Sequence, residues 1–184
     1  MASPSENRER IRTYGHAALL KLLAAIFEDS AEGWEPGAAL EYLILRAFEL
    51  EGAKVRYPFL VSDPTTAGPL EQMDGVVYWQ HHAFLVETKD TAERVNFRPL
   101  AYMRSQLMRR PAQLVGMFFS RSGYTEAAKE LARSLPPQTI LLWDGGEIEY
   151  AVANGKLAVG AEVKLRYAME EAESAFDIRA EFEP

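Results

Sequence analysis

Apolar residues recur along this chain with two different periods. Leu19, Leu22, Leu23 and Ile26 fall at three- and four-residue spacing, which predicts one helix from about Arg8 to Glu28 behind a loose polar segment, Met1–Asn7. After a break at Ala31–Gly37, Leu40, Ile44, Leu45, Ala47 and Phe48 form a broad stripe on a second helix, Ala38 to Leu50, closed by Gly52. The pattern then changes to strands over Lys54–Val61, Met73–Trp79 and Ala83–Lys89. A loop at Asp63–Pro69 separates the first two, and Gln80-His81-His82 forms a hairpin tip between the second and third. Next come a helix Phe97–Arg109 stopped by Pro111 and a strand Gln113–Ser120. A helix Glu126–Ser134, capped by Thr125 and ended by Pro136-Pro137, leads to a last core strand, Gln138–Trp143. This order gives an α/β fold with a mixed sheet, hairpins first and right-handed crossovers after. In the tail, Asn154-Gly155 is a hairpin signal and Val163, Leu165 and Tyr167 alternate. Ala, Glu, Leu and Met dominate Glu147–Ala153 and Ala158–Ala175, and the balance favours helices.

Composition narrows the chemistry. With 184 residues, 48% apolar, the chain suits one domain, and no apolar stretch reaches the ~18–20 residues of a membrane span. The N-terminus lacks the basic stretch, apolar core and cleavage site of a signal peptide, so a soluble, cytoplasmic protein is expected. The absence of cysteine excludes disulfides, thiolate catalysis and Cys-ligated metal, and three histidines argue against a His-rich zinc site. P-loop, dinucleotide-binding, His-Glu-x-x-His and Gly-x-Ser-x-Gly signatures are missing too. The net charge of −7 disfavours non-specific coating of nucleic acid, but it is unevenly spread: residues 89–133 hold nine basic and four acidic side chains, leaving −12 elsewhere. Such a basic middle can face phosphate, or be the solvated face of ordinary helices.

What remains is carboxylates and lysine. Glu41 lies inside the apolar stripe of the second helix, where it either serves a buried purpose or leans out to water near the positive helix end. Asp74 opens one hairpin strand and Glu87 lies near the end of its partner, so the hairpin brings Asp74 beside Glu87–Lys89. Strand alternation sends Glu87 and Lys89 to one face and Thr88 to the other. Two carboxylates at a buried strand end suit a hard divalent cation such as Mg²⁺, with a backbone carbonyl as a further ligand. An acid-x-Lys tripeptide alone says little, since Glu162-Val-Lys164 repeats it in a helical setting; the hairpin context distinguishes Glu87-Thr88-Lys89. Taken singly, Asp74-Gly75 is a common turn dipeptide, and Glu87 with Lys89 a same-face ion pair of small worth.

Jointly, these residues resemble the PD-(D/E)xK restriction-endonuclease-like nucleases, and among them the Mrr-like restriction endonucleases. The similarity rests on Asp74-Gly75, Glu87-Thr88-Lys89 twelve residues on, and the helix Glu in Leu40-Glu41-Tyr42-Leu43. It extends over the strand, turn and helix of Gly116–Ala132 and the strand Ile140–Asp144, about residues 37–150 in all. Met73 stands where the motif name has Pro, and no sequence-reading module is recognisable. The resemblance implies a three-layer core, a central mixed four- to five-stranded sheet flanked by helices. It divides the chain into a helical extension (1–36), a nuclease-like core (37–150) and an acidic helical tail (151–184) packed on the same domain. It further implies an endonuclease hydrolysing phosphodiester bonds in DNA. Asp74 and Glu87 would hold Mg²⁺, with Mn²⁺ as the alternative, helped by the Thr88 carbonyl; Glu41 would complete the site and Lys89 would position the attacking water. Arg104, Gln106 and Arg121 are the candidate substrate contacts. DNA is the implied partner, with a homodimer or a separate targeting subunit left open and no membrane involved. The rival is a catalytically inactive domain of the same fold, acting in nucleic-acid binding or assembly.

Overall fold

The computed structural model describes residues 3–62, 69–134 and 139–182. Its N-terminal segment folds as two helices where the apolar spacing predicts one. The first, α1 (Pro4–Arg12), starts in the stretch expected to be loose, because Ser3 and Glu6 form a reciprocal capping box and Pro4 lies at the first turn. Thr13 caps its end, and an extended Gly15 begins α2 (His16–Phe27). The second predicted helix appears with its expected bounds as α3 (Ala38–Leu50). Leu40, Leu43, Ile44, Leu45 and Phe48 are fully buried, so the stripe sets the rotation of the helix.

The strand Lys54–Val61 divides at Pro58, which has no N–H to give a ladder and follows a cis peptide bond. Its halves, β1 (Lys54–Arg56) and β2 (Phe59–Ser62), belong to different sheets. Likewise Met73–Trp79 resolves into β3 (Pro69–Met73), paired with β2, and β4 (Gly75–Trp79), paired with β1, with Asp74 at the junction. The turn to β5 (His82–Lys89) uses Gln80 and His81, while His82 already pairs with Trp79. Then follow α4 (Phe97–Met108), β6 (Leu114–Ser120), α5 (Glu126–Arg133) and β7 (Ile140–Trp143), each within two residues of its predicted bounds. The expected loop at 63–69, except Pro69, lies outside the described residues, as do Pro136, Pro137 and Gln138.

The main sheet is mixed and five-stranded, in the order β1-β4-β5-β6-β7, antiparallel up to β5 and parallel from there. The β2–β3 hairpin forms a separate two-stranded sheet. One face of the main sheet buries Val76, Leu85, Phe118, Ile140 and Leu142 under Leu100, Met103 and Leu107 of α4 and Ala128 and Ala132 of α5. The other buries Val77, Phe84, Val86, Phe119 and Trp143 with α3 and the C-terminal helices. The result is an α/β/α sandwich with α1 and α2 packed outside α3. Among the described residues no helix is long and apolar enough to cross a membrane.

The tail is helical: α6 (Gly145–Asn154) and α7 (Leu157–Glu171), with a short α8 (Arg179–Phe182). Residue 150, the predicted end of the core, falls within α6. Asn154-Gly155 closes α6, Gly155 taking the left-handed conformation of a helix C-cap instead of a hairpin turn. Glu51, just past α3, accepts hydrogen bonds from the Leu157 and Ala158 amides at 3.0 and 2.7 Å, capping α7 from a distant part of the chain. Lys164 is fully buried; its ammonium meets Glu147 at 2.6 Å and donates to the Leu142 carbonyl at 2.6 Å and to that of Phe176. Burial pushes Glu147 up and Lys164 down, outweighing their mutual attraction.

Lys164→Met therefore strands a buried carboxylate and is expected to cost about 3–5 kcal/mol in urea unfolding. The double variant Glu147→Gln/Lys164→Met should recover part of that loss; an equal or greater loss would contradict the charge-pair account.

Candidate active site

Four of the predicted residues meet at the carboxyl end of β5. Gly75 pairs with Val86, so Asp74 arrives beside Glu87. One Asp74 oxygen, Oδ2, accepts two hydrogen bonds from Thr88, from the backbone N–H at 2.7 Å and the hydroxyl at 2.8 Å. These bonds tie the β3–β4 junction to β5. Glu87 and Lys89 share a strand face, as alternation predicts, and the Lys89 ammonium donates to Glu87 Oε1 at 2.7 Å.

Glu41 comes from α3, in its first turn, and is half-buried against the same cluster. The close approach of α3 depends on Gly75: a Cβ there would come within 2.7 Å of Leu45 Cδ2. Of the two readings left open for Glu41, the structure supports the buried one, because this carboxyl feels Asp74, Glu87 and Lys89.

The electrostatics follow from placing three carboxylates beside one ammonium, partly out of water. Burial, then the Glu87 charge, push Asp74 up to about 7 despite the two Thr88 hydrogen bonds that favour its ionised form. Burial, then Asp74 and Glu87, raise Glu41 to about 8. For Lys89, burial opposes the charge, but the attraction and hydrogen bond of Glu87, with Asp74 and Glu41 behind it, win and raise its pKa. Among the described residues, no three His, Cys, Asp or Glu side chains are already gathered in the arrangement of a metal cage.

The other predicted contacts separate. Arg121 adjoins the cluster: its N–H donates to the Lys89 carbonyl at 3.2 Å, and its guanidinium pairs with Asp90 at 2.5 Å and Asp29 at 2.7 Å. Gln106 is buried on α4. Met103 of that helix packs on Gly116, level with Leu85, and Gln106 lies nearly a turn further from the strand ends. Arg104, on the same part of α4, is likewise not drawn into the cluster. His81 is in the exposed turn and His82 lies against Phe84. Sequence reasoning missed the role of the Thr88 side chain and the Asp29–Arg121–Asp90 bridge. The strand register sets the Thr88 side chain on the face away from Glu87 and so hides the first, and nothing local announces the second.

Residues 35–152 match the family model Mrr_cat, described as a restriction endonuclease. No curated protein matches the chain. Among solved structures, the protein of unknown function AF1548 is similar at 14% identity and a TM-score of 0.44, over 72% of this chain and 89% of that one. The MspJI restriction endonuclease, solved in complex with a 27-mer oligonucleotide, is similar at 15% identity and a TM-score of 0.42. That alignment covers 96% of this chain but 40% of MspJI, so this chain spans less than half of that enzyme's length.

The raised carboxyl groups set a pH dependence. Unfolded, Asp and Glu titrate near 4; folded, Asp74 and Glu41 hold their protons to about 7 and about 8. Between these limits the folded chain binds more protons, so their contribution to stability is complete below about pH 4 and is lost as pH rises to about 8. Metal-free protein should therefore unfold at lower urea at about pH 8.5 than at about pH 5.5. Asp74→Asn and Glu41→Gln should each flatten that difference; an unchanged slope in both would show that these groups do not titrate as described.

Proposed function

The chain belongs to the Mrr_cat restriction endonuclease family, and from that premise we propose that it is a divalent-metal-dependent nuclease that hydrolyses phosphodiester bonds in DNA, with Asp74, Glu87, Lys89 and Glu41 as its working residues. The observation that carries this reading is the convergence of three mutually repelling carboxylates and one lysine at the end of β5. A hard cation fits that donor set. It is all oxygen, its three carboxylates carry −3 when fully ionised, offset to −2 by Lys89, and the Thr88 carbonyl is next in line. Asp74 and Glu87 would hold Mg²⁺ or Mn²⁺, and Glu41 would extend the site. When bound, the ion would supply Lewis acidity and a more acidic water.

The remaining roles belong to the chain itself. The Thr88 amide and hydroxyl both bond to Asp74 Oδ2, and Oδ1 would be the oxygen offered to a ligand. Lys89, charged throughout the neutral range, offsets charge on the scissile phosphate and orients the attacking water. Positive charge at the site would draw the Asp74 and Glu41 protons off near neutrality, so affinity for metal should rise with pH.

Calorimetric titration of Mg²⁺ and Mn²⁺ into the full chain should give saturable binding that Asp74→Ala removes. With DNA present, Lys89→Ala should cut the cleavage rate by about 10²–10³-fold or more while leaving metal binding in place. Metal binding without cleavage of duplex or single-stranded DNA would favour the inactive-domain alternative, and absence of both would reject the site.

A further inference from the structure

A second feature opens beside the cluster, on the same carboxyl edge of the sheet. Lys89 and Arg94 line a cavity of ≈ 340 Å³, and Arg94 also lines a larger one of ≈ 630 Å³ beyond the ends of β6 and β7. Arg94 lines both cavities, so they adjoin, and together they extend from Lys89 to the ends of β6 and β7. The larger cavity is walled by Arg94, Arg121, Lys129, Arg133 and Arg179. Three acids share it, and each is engaged: Asp144 caps α6, Glu147 holds Lys164, and Glu173 pairs with Arg133. Most of the cations are engaged as well: Arg121 with Asp29 and Asp90, Lys129 with Glu126, Arg133 with Glu173 and Arg179 with Asp177. The Lys129 and Arg133 pairs lie at the surface, where an ion pair is worth little and a phosphate can displace the carboxylate.

The backbone holds Arg94 in place. Val95 N–H donates to Gly123 at 2.9 Å, Thr125 N–H donates to Val95 at 3.0 Å, and Ser122 Oγ donates to the Glu93 carbonyl at 2.5 Å. The segment carrying Arg94 is therefore stitched to the turn before α5. Lys129 and Arg133, four residues apart on α5, line the same cavity. Arg94 is exposed and has no ion-pair partner among the described residues. The volume exceeds that needed for one small anion and falls within the range of about 300–1,000 Å³ typical of ligand clefts.

We propose that this depression is the track for the phosphodiester backbone of the DNA strand that lies across Lys89, with Arg94, Lys129 and Arg133 as its phosphate contacts. It rests on the nuclease reading and adds the path of the substrate. The track starts at the group that would face the scissile phosphate and continues along cations spaced over the next two strand ends, as an extended polyanion requires.

The test uses the full chain carrying Asp74→Ala, which removes cleavage, and fluorescence anisotropy of a short labelled DNA duplex over a range of salt. Arg94→Glu/Lys129→Glu should weaken binding tenfold or more and flatten the plot of log affinity against log salt by about two. Lys21→Glu/Lys54→Glu makes the same change in net charge outside both cavities, and it should leave most of the affinity. Equal losses in the two double variants, or no loss in the first, would overturn the track. So would displacement of the duplex by millimolar inorganic phosphate at constant ionic strength, which would indicate a small-anion site. Unfolding curves matching the parent establish that both double variants fold. The metal titration of the wild-type chain separates the two proposals. Metal binding with cavity-independent DNA binding rejects the track alone, whereas cavity-dependent DNA binding without metal rejects the nuclease reading and keeps the track.

Discussion

Like charges held close together and partly out of water raise the free energy of the fold unless protons or a cation relieve them. Asp74, Glu87 and Glu41 are in that position, and their surroundings serve to hold them there. α3 is anchored by fully buried leucines on both sides of Glu41 in sequence, so the helix cannot rotate the carboxyl away without exposing its core. Thr88 grips Asp74 from two atoms, and Glu87 sits on a strand whose preceding residues are buried from both faces. The repulsion is therefore built into the packed core. Protons relieve it in the free protein, and on the proposed nuclease reading a hard cation would take their place.

The parts far from this cluster act as its frame. The C-terminal helices are fastened by polar contacts partly or wholly out of water: Glu51 caps α7, and the buried Lys164 links Glu147 to carbonyls at β7 and Phe176. β7 in turn flanks β6, whose neighbour β5 carries Glu87 and Lys89. Trp143, at the end of β7, stacks on Phe119 and has the Lys164 ammonium over its ring. The tail thereby braces the edge of the sheet on which both the carboxylate cluster and the basic depression open.

Much of this was legible in the sequence where the signal is local. The stripe of α3 marked its bounds, and alternation along β5 told which way Glu87 and Lys89 point. A capping Thr125 located α5. Glu41 could be seen as out of place in its apolar stripe, and the family resemblance assigned it to the site, but only the packed fold brings its carboxyl within reach of Asp74. Other features depend on partners distant in the chain and leave no local trace. Lys164 reads as an ordinary helical lysine until α6 brings Glu147 under it, and Arg121 finds Asp29 some ninety residues away. The break at Thr13–Gly15 was hidden because only Gly15 marks it, and a single glycine can lie within a helix or end one. The tail's Asn154-Gly155 carried two meanings, since a left-handed glycine closes a helix as readily as it turns a hairpin.

Gly75 has a consequence for how such a site can change. Its missing side chain is what lets Leu45, and with it the whole of α3, settle against the strand that follows Asp74. The gap between the helix carboxylate and the strand carboxylates is thus set by a position with no functional group. A larger residue there would have to displace the Leu45 side chain and press on the Arg56 carbonyl, disturbing the packing beside the site while leaving every acid and the lysine in the sequence. Descendants of this chain could retain a complete motif while the packing beside it changed, so an intact set of acids records ancestry more faithfully than it records spacing.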